Sequence, residues 1–305
     1  MKITLLGPQR RPTLHQVVDE IDADAPIATV TAGWLEREPD DVELDRELDG
    51  RGVNLGLHRR WLDVLDHDRE YATAELEHRA VLDELQELYV VQLDHALRAL
   101  YEVVQRGGSP RSRTAAIGGA LAVVRLIDER HRNQVWAAHT DFVAAWRPAE
   151  RPVIAAHAAS VTRILRNVTT LVIAGGHVGV LVHVLRLFGV HPSESLPVVA
   201  WSAGAMALTE QVVLFHDRVP HGPTHAEVYH DGLGVIPRAV LLPHARRRLR
   251  VDDRLRMSVL ARRFEPAKCV VLDDGTRLDL EPDGSLPPAA RVIDPDGHIG
   301  TVEAA

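Results

Sequence analysis

One stretch of this sequence, residues 196–206, restricts the fold more than any other. A short apolar run ends at Ser202, and a pattern rich in alanine and methionine follows it. This order is typical of a nucleophile elbow, a tight strand-to-helix turn that holds a serine in a strained, exposed conformation. The turn brings the residues two before and two after the serine together, and Ala200 and Gly204 are small enough for that. A buried strand followed by an ordinary small-residue turn would give the same pattern, so the motif alone leaves both interpretations open.

Strands and helices alternate around this motif. Apolar, β-branched segments predict strands at residues 2–6, 26–32, 169–174, 197–200, 239–242 and 269–272. Helices are predicted at 13–21, 153–166, 178–188, 202–210 and 246–263. Such alternation predicts an α/β fold: a three-layer sandwich with a mostly parallel, flavodoxin-like sheet. Ligands bind such sheets at the carboxyl ends of the strands, where Gly175, Gly176 and Ser202 all lie.

The alternation is interrupted at residues 54–147, where leucine, alanine, glutamate and arginine dominate. An apolar stripe from Leu82 to Val103 predicts one long helix, and a second is expected from about Thr114 to Trp146, with a weak point at Gly118. We therefore expect three segments: 1–53 as the first part of the α/β domain, 54–147 as a helical insertion, and 148–305 as the remainder with the elbow. Whether the insertion covers the site or forms a homodimer stays open, although intramolecular packing is the commoner role of such a stripe.

Composition excludes several classes of function. The net charge of −8 argues against a general nucleic-acid-binding protein. Cys269 is the only cysteine, so neither an internal disulfide nor a multi-cysteine zinc site can form. The amino terminus does not resemble a signal peptide, and no apolar run is long enough to span a bilayer. The expectation is a soluble cytoplasmic protein without cofactor or membrane partner. The acidic stretch at residues 36–45 is expected to be a solvated loop.

A catalytic serine requires a base and an acid that orients the base. His244 follows the apolar run at 239–242, and Asp274 follows the run at 269–272, so both lie at predicted strand ends. The resulting chain order is Ser, His, Asp. Because α/β-hydrolases have the order Ser, Asp or Glu, His, their fold is disfavoured despite the similar elbow.

Several motifs together resemble peptidase family S51, the dipeptidase E and cyanophycinase group of the class I glutamine amidotransferase-like superfamily. The resemblance covers residues 151–282 well and 1–35 weakly, and does not include 54–147. Its elements, in chain order, are the glycine pair Gly175 and Gly176, the elbow from Ala200 to Ala205, the run from Gly232 to Pro237, His244 followed by Arg247 and Arg250, and the segment from Asp273 to Thr276. Three positions differ from the family pattern: Ala200 replaces glycine, Asp274 replaces the glutamate of the cyanophycinase branch, and the bulky Trp201 lies beside the nucleophile.

The resemblance implies a serine peptidase that acts on small peptides, with aspartyl or β-aspartyl peptides as the favoured substrates. In that reading Ser202, His244 and Asp274 form the triad, and the backbone N–H groups of Ala203 and Gly176 form the oxyanion hole. An acidic substrate needs a cationic group near the nucleophile, for which Arg246, Arg247, Arg248 and, beside the glycine turn, His177 are the candidates. Serine in place of cysteine at the elbow makes glutamine hydrolysis unlikely.

Two alternatives remain at this stage. The histidines His216, His221, His225 and His230, with Asp217 and Glu227, could suggest a metal site, but their spacing fits no zinc signature and a histidine-rich surface loop is favoured. The second alternative is a non-catalytic protein of the same fold that binds or assembles through its helical insertion. Cys269 is interpreted as an inert core thiol.

Overall fold

A computed structural model describes residues 2–9, 13–21, 25–192, 196–217 and 225–304. The strands of this part of the chain are β1 (Ile3–Leu6), β2 (Ile27–Val30), β3 (Gly52–Asn54), β4 (Thr170–Ile173), β5 (Val198–Trp201), β6 (Gln211–Leu214), β7 (Glu227–Asp231), β8 (Ala239–Pro243), β9 (Lys268–Leu272), β10 (Arg277–Asp279), β11 (Arg291–Ile293) and β12 (Ile299–Thr301). The α-helices are α1 (Leu14–Val18), α2 (Val42–Glu47), α3 (Leu57–His67), α4 (Arg69–Gln105), α5 (Pro110–Trp146), α6 (Pro152–Leu165), α7 (Val178–Leu187), α8 (Ala203–Ala207), α9 (Ala245–Arg248) and α10 (Arg254–Phe264). Short 3₁₀ helices occupy Ala32–Arg37, Pro148–Glu150 and Val302–Ala304.

The central sheet of the described chain is mostly parallel and has the order β10-β1-β5-β4-β2-β3. Strands β1, β5, β4, β2 and β3 run parallel to one another, and β10 adds an antiparallel edge beside β1. Parallel strands must be joined by crossovers, which the intervening helices supply. The predicted α/β sandwich with a mostly parallel sheet is therefore confirmed.

Alternate residues of the central strands face opposite layers. Leu5, Leu171 and Val198 belong to a large core that also holds apolar residues of α3, α6 and α7. Their chain neighbours Leu6, Val172 and Val199 belong to a smaller core with α1 and α2, where Leu44 is buried. Both faces of the sheet are thus covered, which explains why the strands read as continuous apolar runs rather than as alternating ones.

A second sheet has the order β12-β11-β9-β8, in which β8 and β9 are parallel. Strands β6 and β7 pair as a separate antiparallel hairpin with an irregular register near Val212. This hairpin follows α8 directly, so the chain leaving the elbow helix passes through β6 and β7 before it reaches β8. β7 and the end of β8 each contribute a residue to the cleft at the carboxyl ends of the parallel strands.

Helices α4 and α5 form a long antiparallel hairpin that packs on the α/β part of the protein. A buried network fixes it there: Arg263 of α10 donates to both carboxylate oxygens of Asp128 at 2.7 and 2.6 Å and to the Tyr89 hydroxyl at 2.9 Å. Tyr89 in turn donates to Asp128 at 2.8 Å. Because the Arg263 and Asp128 side chains are only 2% and 11% exposed, this ion pair lies out of contact with bulk water and ties α4, α5 and α10 together.

Several predicted elements differ from the structure. Gly118 does not weaken the second long helix, because α5 runs unbroken from Pro110 to Trp146. The acidic stretch expected to be a loop contains α2, whose Leu44 and the following Leu48 are buried. The single arginine-rich helix expected at 246–263 is divided into α9 and α10. Within the described residues no helix combines the length and apolar character needed to span a bilayer.

Candidate active site

A cleft of about 890 Å³ opens at the carboxyl ends of the parallel strands. Its lining includes Pro8 after β1, Gly176 after β4 and Ser202 after β5. His244 after β8 lines the same cleft, although β8 belongs to the second sheet. The structure therefore brings two predicted site residues, Ser202 and His244, into one cavity at the edge of the sheet where α/β proteins bind ligands.

Ser202 occupies the junction between β5 and α8 in a rarely populated backbone conformation, with φ of 51° and ψ of −123°. Positive φ in a residue with a side chain is costly, and such strain is concentrated at functional sites. The turn is also crowded, because a Cβ placed on Gly204 would lie 2.3 Å from the Ile173 carbonyl oxygen. Ala200, on the other side of the serine, is fully buried. The geometry is that of a strand–turn–helix junction at which the position two residues after the serine has no room for a side chain.

The glycine turn after β4 lies directly against the elbow. A Cβ on Gly175 would come within 2.9 Å of the Ser202 Cβ, and one on Gly176, whose φ is +119°, would come within 2.2 Å of the Gly33 carbonyl oxygen. His177 holds this turn by donating its backbone N–H to the same carbonyl at 2.7 Å. Gly175 is thus required by the close approach of the Ser202 side chain and Gly176 by that of the Gly33 backbone, and the turn places Gly176 at the wall of the cleft.

His244 also has a left-handed backbone conformation, with φ of 57° and ψ of 35°. Its N–H donates to the Leu272 carbonyl at 2.9 Å, which continues the pairing of β8 with β9 by one residue. Its own carbonyl accepts from the N–H groups of Arg247 and Arg248 and so begins α9. The sharp turn at the end of β8 fixes the backbone from which the imidazole projects into the cleft.

The two aspartates that follow β9 have different environments. Asp273 accepts the Arg246 backbone N–H at 3.1 Å, and its carboxylate lies 3.4 Å from the Arg246 guanidinium. It therefore caps α9, the helix that begins immediately after His244. Asp274, the predicted acid, is exposed in the turn that Thr276 closes by donating to the Asp273 carbonyl. Neither Asp273 nor Asp274 is among the residues that line the cleft.

The structure separates the three candidate arginines. Arg248 lines the cleft, whereas Arg246 is paired with Asp273 and its side chain is 63% exposed. Arg247 is exposed and does not line the cleft. A short helix can turn only part of its circumference toward a cavity, which explains why one arginine of three reaches it. His177 lines the cleft as well, and its Nδ1 accepts the Val180 backbone N–H at 3.2 Å.

Sequence reasoning missed several residues of the cleft. Tyr229 of β7 and Trp34 of the first 3₁₀ helix contribute aromatic walls, and α2 contributes Glu43, Arg46 and Glu47. Burial raises the pKa of Tyr229, so its hydroxyl is protonated at neutral pH. Helix α2 could have been predicted, because Leu44 in the acidic stretch and Leu48 just after it are four residues apart, and both are buried.

Of the histidines expected in a surface loop, two of those in the described residues are shielded from solvent. His230 lies in β7 and is buried, and burial lowers its pKa to about 3. His225 is also shielded, with a pKa lowered to about 4 by burial, whereas His216 is exposed. His221 lies outside the described residues. Among the described side chains, no group of three or more His, Cys, Asp or Glu is arranged to hold a metal ion.

No known protein-family model matches this sequence, and no curated protein matches it. Solved structures do match, among them that of a peptidase from an acI-B1 Actinobacterium, with a TM-score of 0.43 and 13% sequence identity. The match covers 91% of this chain and 82% of that chain. A likeness this distant does not assign an activity, so any function must be argued from the cleft itself.

Proposed function

We propose that this protein is a serine hydrolase of the peptidase type that acts on small peptides, as its resemblance to family S51 implies. One observation carries the proposal: Ser202 is held at a strained strand-to-helix turn inside a cleft that His244 also lines. Strain at a residue that is not required for packing is most readily explained by a chemical role. The turns at Ser202 and His244 both follow strands that end at this cavity, as a nucleophile and its base require.

In the proposed reaction the Ser202 Oγ attacks the peptide carbonyl carbon while His244 accepts the hydroxyl proton. The tetrahedral oxyanion is stabilised by the N–H of Ala203 and by the N–H of Gly176, both beside the serine. The peptide C–N bond then breaks, and His244 returns the proton to the leaving amine, which leaves an acyl ester on Ser202. Water, deprotonated by His244, hydrolyses this ester and releases the acid with regenerated serine.

We propose Asp274 as the acid that orients His244, with Asp273 as its competitor. Asp274 has the family position, but it is exposed, whereas Asp273 touches the helix that begins after His244. Asp274→Asn and Asp273→Asn separate the two. Loss of the orienting acid should lower kcat by about 10⁴-fold at neutral pH, as in serine proteases. The residue whose amide variant retains full kcat is not the orienting acid.

The proposed substrates carry an acidic side chain, which Arg248 and His177 would bind inside the cleft. A carboxylate accepts charge-assisted hydrogen bonds from a guanidinium that a neutral amide accepts only weakly, so a peptide with amino-terminal Asp should be cleaved at least about tenfold better than its Asn counterpart, a gap of roughly 1.4 kcal/mol. Arg248→Ala should abolish this preference. Arg247→Ala is the matched control, because Arg247 lies in the same helix but is exposed and does not line the cleft. Equal kcat/KM for the two peptides would exclude acidic substrates without affecting the triad.

Labelling by a fluorophosphonate probe tests the proposal without knowledge of the substrate. The native protein should react, and Ser202→Ala and His244→Ala should not. Ser160→Ala provides a matched control, since Ser160 lies in α6 and does not line the cleft. A folded native protein that resists the probe would contradict the proposed hydrolase activity.

A non-catalytic binding or assembly protein is the second candidate function. The observation that favours it is the placement of Asp273 and Asp274, neither of which lines the cleft. Its working surface would be the α4–α5 hairpin, where Trp136 is 62% exposed. Absence of labelling together with self-association in light scattering, lost in Trp136→Ala, would support this alternative.

A further inference from the structure

Strand β7 pairs with β6 on one side and is bonded through most of its residues to the α4–α5 hairpin. Of its five residues, four are bonded to the hairpin through a side chain, a backbone N–H or a carbonyl. These contacts are Gln86 Nε2 to Glu227 at 3.0 Å, the Val228 N–H to the Tyr89 hydroxyl at 3.0 Å, His131 Nε2 to the Tyr229 carbonyl at 3.3 Å, and Arg132 to Asp231 at 2.9 and 2.7 Å. Both helices of the hairpin therefore contribute to the position of the strand.

Tyr229 is the one residue of β7, a strand described throughout, that lines the cleft. Its hydroxyl reaches the first turn of α7, where a Cβ placed on Gly179 would lie 2.8 Å from the hydroxyl oxygen and 3.2 Å from the His177 ring. The absence of a side chain at Gly179 therefore leaves the space that the hydroxyl enters. Tyr229 and His177 both approach Gly179, and both line the cleft.

The Tyr229 hydroxyl has the chemistry of a hydrogen-bond donor. Burial raises its pKa, and the Asp83 carboxylate of α4 acts in the same direction, so the phenol keeps its proton. A protonated phenol that lines the same cleft as the candidate oxyanion donor Gly176 can donate a hydrogen bond to a carbonyl or carboxylate oxygen of a ligand. Its aromatic ring packs against the His230 ring in a tilted arrangement, with the ring centroids 4.5 Å apart.

We propose that Tyr229 binds the peptide substrate by donating this hydrogen bond, and that the helical hairpin positions it through β7. The inference rests on the hydrolase function proposed above and gives a role to the insertion, which the resemblance to family S51 does not include. Tyr229 contacts substrate directly, whereas His131 and Arg132 act through the strand as positioning residues. The hairpin is thus a support of the cleft wall.

The test compares kcat/KM for peptide hydrolysis with the rate at which a small alkyl fluorophosphonate labels Ser202. Tyr229→Phe removes only the hydroxyl, so kcat/KM should fall about tenfold, mainly through KM, while the labelling rate stays within twofold of the native value. Gly179→Ala should reduce kcat/KM in the same way, because its methyl group displaces the hydroxyl. Neither change removes core packing, and thermal unfolding checks that both variants fold.

The positioning role is tested with Arg132→Ala, which should lower kcat/KM at least threefold in the native background and have no effect in the Tyr229→Phe background. Arg132→Lys should restore part of the loss. Arg125→Ala is the matched control, since Arg125 lies two turns earlier in α5 but bonds to α10 and Glu265 instead of β7. It should leave kcat/KM unchanged.

Two results would overturn this inference: a Tyr229→Phe variant with native kcat/KM, or an Arg132→Ala loss of equal size with and without the Tyr229 hydroxyl. The first would show that the hydroxyl does not contact substrate, and the second that Arg132 has only a general structural role. A native protein that is not labelled at Ser202 would instead refute the hydrolase function from which the inference proceeds. The two failures are therefore distinguishable.

Discussion

Replacement of Ser202 by glycine should stabilise the protein while abolishing its proposed activity. The serine has φ of 51° and ψ of −123°, a region that glycine enters without steric cost. Residues held in such regions cost of order 1–3 kcal/mol each. The Cβ of Ser202 is also crowded, because it leaves no room for a Cβ on Gly175, which would lie 2.9 Å away.

The expected magnitude follows from two opposing effects. Release of the strain stabilises Ser202→Gly, whereas the greater backbone freedom of glycine in the unfolded chain costs about 0.5–1 kcal/mol. The net gain should be about 1 kcal/mol, or about 2 °C in Tm for a chain of this size. Ser202→Ala loses the hydroxyl but keeps the Cβ, so it should retain the strain and the native Tm.

The assay is urea denaturation of the native protein, Ser202→Gly and Ser202→Ala under identical conditions. The comparison of the two variants isolates the Cβ, since both lack the hydroxyl. At a relaxed position glycine would be the less stable of the two, so the sign of the difference is diagnostic. A glycine variant less stable than the alanine variant would refute the claim that the elbow stores strain.

Three further results are expected. Gly204→Ala should lower the free energy of unfolding by more than about 2 kcal/mol, because its methyl group would lie 2.3 Å from the Ile173 carbonyl oxygen. Gly118→Ala, in open space within α5, should instead raise the free energy of unfolding by up to about 1 kcal/mol, and thermal and urea unfolding of both variants measure these changes. Arg263→Met should cost about 3–5 kcal/mol by leaving buried Asp128 without its partner, and equal stability of variant and native protein would contradict the buried ion pair. Burial lowers the pKa of His139 to about 4, whereas its pKa in the unfolded chain is near 6.5, so between these pH values the unfolded chain binds the proton more readily. The free energy of unfolding should therefore fall as the pH is lowered from 6.5 to 4. In urea titrations at each pH, the free energy of unfolding of His139→Gln should fall less steeply than that of the native protein.

The α/β fold was predictable from sequence because its strands are buried on both faces. Continuous apolar runs such as the one at 169–174 carry a strong signal, and the observed β4 lies within that run. Predictions from local composition were wrong where tertiary packing determines the secondary structure. Acidic residues 42–47 fold as α2 because buried Leu44 fixes one face of the helix on the sheet. Gly118 stays helical because it lies within a 37-residue helix that packs along α4.

The candidate site was predictable only in part, for a similar reason. Ser202 and His244 each follow an apolar run, so their placement at strand ends could be read directly, and both line the cleft. Tyr229 could not be found this way, because it reaches the cleft from a strand of a separate hairpin held by distant helices. The choice of Asp274, the role of Gly176 and Ala203, and the division of the chain at residues 54 and 147 stay predictions.

The central claim is that Ser202 is an activated nucleophile with the Ala203 and Gly176 N–H groups facing its oxyanion. A crystal structure of the protein after reaction with a phosphonate measures this directly. The account predicts a covalent bond from phosphorus to the Ser202 Oγ, with the phosphonyl oxygen about 3 Å from both N–H groups and the His244 imidazole within hydrogen-bonding reach. An adduct on another residue, or a phosphonyl oxygen directed away from both N–H groups, would contradict it.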